Sequence, residues 1–128
     1  MHATTCVERF GVRHEESLVV TVSDGRPVHV AVCRLVMDGT LSEIFARLGS
    51  PELVSLPNDV VEAFKKQHYG VLQDEDHATL FLCEGLVIDL EHDDDRGGFD
   101  RTEFSLHGTG IWRAEHGHQI VAPAHLFS

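Results

Sequence analysis

The chain is short of lysine. Only Lys65 and Lys66 occur, and together with eight arginines they set ten basic residues against 21 acidic ones, a formal net charge of −11. The deficit is uneven along the chain. Residues 1–66 carry nine acidic and seven basic side chains, net −2, whereas residues 67–128 carry twelve acidic side chains and three arginines, net −9. A half this acidic is repelled by phosphate backbones, which argues against direct nucleic-acid binding unless a metal intervenes. Basic protein surfaces and cations are the partners that such a charge favours.

Long apolar runs are missing as well. Uncharged apolar stretches such as Leu80 to Cys83 and Gly85 to Ile88 are strand-sized, far below the roughly 20 residues that cross a bilayer. No membrane association is expected. The N-terminus has neither a basic start nor a continuous apolar segment, so no secretory leader is expected and the chain reads as cytoplasmic. The cysteines Cys6, Cys33 and Cys83 are odd in number and far apart, which gives neither a disulfide framework nor a zinc-clamping pair. Cys33 and Cys83 lie among Val, Leu and Phe, where a thiol packs as a small hydrophobe and its thiolate is disfavoured.

Catalytic signatures are equally scarce. No serine sits in a Gly-x-Ser-x-Gly elbow, and Arg96-Gly97-Gly98 is not followed by the Lys-Ser/Thr of a phosphate loop. A nuclease or phosphatase site needs acidic ligands on adjacent strands, often with a nearby lysine; Asp89 and Glu91 share a strand face, but no lysine follows residue 66. These absences point away from an enzyme.

What is present is the composition of an ordinary globular protein, 42% hydrophobic and 24% charged over 128 residues, with no internal repeat or linker; one α+β domain over 1–128 is the expectation. Leu18 to Val22 and Val28 to Val36, separated by Ser23-Asp24-Gly25-Arg26-Pro27, predict a β-hairpin, with a weaker strand over 6–14. Thr40-Leu41-Ser42-Glu43 fits a capping box, and Leu41, Ile44, Phe45 and Leu48 recur at helical spacing up to Gly49. A second helix from Asn58 or Asp59 carries Val60, Val61 and Phe64 inward and closes at Gly70. Strand periodicity returns over Thr79 to Cys83 and Leu86 to Glu91, then an acidic loop from His92 to Asp100, a short strand at Phe104 and Leu106, and a hairpin turning at His116-Gly117. The predicted architecture is an N-terminal β-hairpin, two central helices and a C-terminal β-meander, forming an antiparallel sheet of about five to seven strands with both helices on one face. Trp112 is expected to be half-buried. Exposed sheet edges make a homodimer a reasonable expectation.

Two constellations carry chemistry. Asp89, Glu91, Asp93, Asp94, Asp95 and Asp100 form an acidic surface suited to a basic partner or a hard cation. They do not form an EF-hand: a loop starting at Asp93 places Gly97 at position 5 and Phe104 at position 12, where a bidentate Glu is required. The second is histidine, ten in number, of which His116 and His118 with His92 are the candidate ligands for a divalent metal. Ten imidazoles with ordinary pKa near 6.5 would also raise the net charge between about pH 7 and pH 5. The expected function is a small, non-enzymatic binding or accessory protein, inhibitor- or immunity-like, that meets a basic protein through its acidic C-terminal half and needs no cofactor. The alternative is a metal-binding protein or metal-dependent hydrolase using the C-terminal histidines and carboxylates.

Overall fold

The structure, a computed structural model, describes residues 8–72, 77–93 and 98–127, with the backbone alone at 8, 9, 92, 93 and 99. The chain opens with β1 (Glu8–Arg9) and the long β2 (Val12–Thr21), turns at Asp24-Gly25, and returns as β3 (Pro27–Leu35). The Asp24 carboxylate closes that turn by accepting the Arg26 backbone N–H over 2.8 Å. Three helices follow: α1 (Leu41–Leu48), the single-turn α2 (Pro51–Val54) and α3 (Asn58–Gln67). The strands β4 (Thr79–Cys83), β5 (Leu86–Asp93), β6 (Gly98–Ser105) and β7 (Gln119–Pro123) complete the fold.

Helix α1 begins where the capping box places it. Thr40 Oγ1 accepts the Glu43 N–H at 3.2 Å, and the Glu43 carboxylate accepts the Thr40 N–H at 2.9 Å. These bonds hold the Glu43 carboxyl below its usual range. Leu41, Ile44, Phe45 and Leu48 are buried on one stripe, each contributing about 1.5–3 kcal/mol through loss of apolar surface to water.

The sheet runs β1-β2-β3-β7-β4-β5-β6, antiparallel throughout except for the parallel pair β4 and β7. This is an α+β fold with a mostly antiparallel sheet. The last strand is inserted at the centre, and it does not pair with Ile111 to Glu115 as the predicted hairpin required. Ala114–His116 instead form a short 3-10 turn, ending at Gly117 in the left-handed region (φ 68°). The helices also differ from expectation, since they cover opposite faces. Ala31, Cys33, Leu35, Leu80, Leu82 and Ile120 pack with α1, whereas Val30, Val32, Phe81, Ile88 and Val121 pack with Val60, Val61 and Phe64 of α3. The Phe64 and Phe81 rings meet edge to face at 5.2 Å. Strands covered on both faces read as continuous apolar runs, which is why all five residues of β4 are buried.

One further irregularity positions side chains. The β2–β3 register shifts between His14 and Glu16, so Val12 faces α1 while Leu18 and Val20 face α3, although all three numbers are even. At the far edge, β5 and β6 run through Asp93 and Gly98, into residues expected to be loop.

Candidate functional site

Strand pleating sorts the acidic residues. Along β5, Val87 packs on the α1 face and Ile88 and Leu90 on the α3 face, so Asp89 and Glu91 fall on the α1 face. Glu91 lies directly opposite Asp100 on β6, and Leu90 opposite Arg101. The same alternation therefore sends Arg101 to the α3 face, where it donates to Glu62 (2.7 Å) and Asn58 (3.0 Å) of α3. Hydrogen bonding to Lys65, and then the Arg101 contacts, keep the Glu62 carboxyl below its usual range. Asp89, Glu91 and Asp100 thus come together in space. The Asp93 backbone pairs with Gly98 at the strand end, while Asp94 and Asp95 lie outside the described residues.

Asp89 is 4% exposed, and its Oδ1 accepts the Thr79 backbone N–H at 3.1 Å. Burial pushes its carboxyl above the ordinary range, against the opposing pull of hydrogen bonds from Glu91 and the Thr79 amide.

On the other side of β4 the neighbouring amide is used in the same way: the Ala78 N–H donates to His118 Nδ1 at 3.1 Å. That bond leaves the proton of the neutral ring on Nε2. The His118 ring meets Trp112 at 5.1 Å and His116 at 5.8 Å. Burial, followed by the charges of His116 and His77, lowers its pKa. Gly117 suits this position because its φ of 68° favours glycine, and a Cβ there would lie a tight 3.3 Å from both His77 and Arg34, which would have to shift slightly. Arg34 adds a bond from Nη1 to the Gly117 carbonyl (2.7 Å) and an ion pair with Glu15.

His116 and His118 are therefore neighbours, with His77 as a third imidazole that spacing did not single out. The His92 side chain lies outside the described residues. Among the described residues, no group of three His, Cys, Asp or Glu is arranged to hold a metal ion. Trp112 is half-buried, as expected, held between His118 and Phe104. Cys33 and Cys83 are buried free thiols; burial pushes Cys33 up to about 12 and raises Cys83 too. No helix among the described residues is long and apolar enough to cross a membrane.

What arises is an acidic, mixed α+β domain with a carboxyl row and a histidine cluster near one end of its sheet. No protein-family profile, curated protein or solved structure matches the chain.

Proposed function

We propose that this chain is a small, non-enzymatic binding or accessory protein, of inhibitor- or immunity-like kind, whose acidic C-terminal half receives a basic protein partner. One observation supports the reading above the others: β5 and β6 set Glu91 opposite Asp100 on one face, beside the buried Asp89, and turn Arg101 away to the opposite face. The chain as a whole carries 21 acidic residues against ten basic ones, a formal net charge of −11. Such a field speeds encounter with a basic surface and selects against acidic ones.

The test is crosslinking and pull-down with immobilised protein at low and high salt, beside a Glu91→Gln/Asp100→Asn variant. A basic partner should be retained at low salt, lost as the Debye length shrinks toward about 3 Å near 1 M, and weakened by the variant. Retention unaffected by either salt or variant would count against the proposal, as would the absence of any basic partner.

A second reading, a metal-binding protein or metal-dependent hydrolase, is favoured by the pairing of His116 and His118, whose ring centroids lie 5.8 Å apart. Elemental analysis and melts with Zn²⁺, Mn²⁺ or Ca²⁺ test it: a bound metal with a raised melting temperature supports it, and no bound metal together with an unchanged melting temperature overturns it.

A further inference from the structure

A second feature lies at the opposite end of β7 from His118. A cleft of about 450 Å³ opens where the start of β3, the connector between α2 and α3, and the end of β7 meet. Its volume is within the range of small-molecule sites. In a chain of net charge −11, no acidic side chain lines it. Its ionisable residues are the cationic Arg26 and the imidazoles His29 and His125, side chains that can donate hydrogen bonds. The nearby Asp24 carboxylate is directed to the Arg26 backbone N–H, and the Arg26 guanidinium makes no hydrogen bond or ion pair among the described residues. Three prolines, Pro27, Pro57 and Pro123, form rigid apolar walls, the buried Leu56 and Val60 add apolar surface beneath them, and Ser55 supplies a hydroxyl.

We propose that this cleft binds a small organic anion, a carboxylate or phosphate monoester on a planar apolar body. The charged end would sit against Arg26, His29 and His125, because a guanidinium presents paired donors that match the oxygens of either group. The body would lie between the proline walls, where removal of apolar surface from water adds affinity. This site is independent of the acidic face, since the two lie at opposite ends of the central strand.

Titration of the full, isotopically labelled chain with sodium benzoate, phenyl phosphate and neutral benzyl alcohol, followed by NMR at the Arg26 Nε–H and the His29 and His125 rings, tests the inference. One or both anions should give saturable shifts confined to the cleft, and which of them binds tighter identifies the head group. Benzyl alcohol should bind at least about tenfold more weakly, and Arg26→Gln should weaken anion binding about tenfold, as expected for loss of a charge-assisted bond. Arg26 is exposed in a hairpin turn, so the variant should keep the parent melting temperature. If a melt shows that it does not, His29→Gln takes its place, with the same loss of anion binding expected. Equal binding of benzyl alcohol, shifts scattered over the surface, no saturation, or full affinity in the folded variant would each overturn the proposal.

Discussion

His118 and Asp89 are held by consecutive backbone amides, the Ala78 N–H reaching His118 Nδ1 and the Thr79 N–H reaching Asp89 Oδ1, each over 3.1 Å. The start of β4 thus fixes one base and one acid on either side of itself, and their pKa values are displaced in opposite directions, His118 down and Asp89 up. Both displacements favour the uncharged form, as burial requires.

For His118 the consequence is loss of stability on acidification. Its folded pKa is below the unfolded value near 6.5, so the unfolded chain takes up the proton first, and stability present above about pH 6.5 declines as pH falls toward the folded pKa. His118→Leu should cost about 1–3 kcal/mol at pH 7.5, because the Ala78 amide loses its acceptor, and should reduce the dependence of stability on pH between 7.5 and 5.5. Urea denaturation of parent and variant at both pH values measures this. An equally steep decline in the variant would assign the effect to other groups.

Asp89 has the opposite sign. Its folded pKa is raised, so the carboxylate is penalised in the fold, and its contribution is best at low pH and declines as pH rises through the folded pKa. Asp89→Asn keeps an oxygen to accept the Thr79 N–H and removes the ionisation. It should equal or exceed the parent in stability at pH 7, by up to about 1 kcal/mol, with a smaller gap at pH 4; Asp89→Leu, lacking the acceptor, should lose about 1–3 kcal/mol. Denaturant midpoints at the two pH values decide between these outcomes.

Gln67 guards the outer edge of β2. Its amide accepts the Thr21 N–H at 2.8 Å and donates to the Thr21 carbonyl at 2.6 Å, while the His68 ring meets the Val19 carbonyl at 2.8 Å. A carboxamide here substitutes for the peptide group of a neighbouring strand, a means of blunting an edge. Gln67→Ala should cost about 1 kcal/mol and promote self-association, read as a concentration-dependent rise in sedimentation coefficient. A monodisperse variant matching the parent at every concentration would show that the edge needs no such guard.

Much of the fold was legible in local chemistry. The Asp24-Gly25 turn, the Thr40–Glu43 capping box and the apolar stripes of α1 and α3 all depend on residues a few positions apart, so they could be located without knowledge of the rest. The carboxyl row was legible in part. The period of two placed Asp89 and Glu91 on one face, but it could not reveal that β6 would bring Asp100 opposite Glu91 and carry Arg101 away.

By itself, the order of residues determined the charge imbalance, the helical stripes and most strand positions, because these follow from composition and contacts over one to four residues. Only the tertiary structure decided that β7 enters between β3 and β4, that α1 and α3 cover opposite faces, and that His118, Asp89 and β4 share one hydrogen-bonded arrangement. The reason is physical. A strand buried on both faces loses the alternation that would show which side meets which helix, and a backbone amide carries no sequence signal for the side chain that will accept its proton.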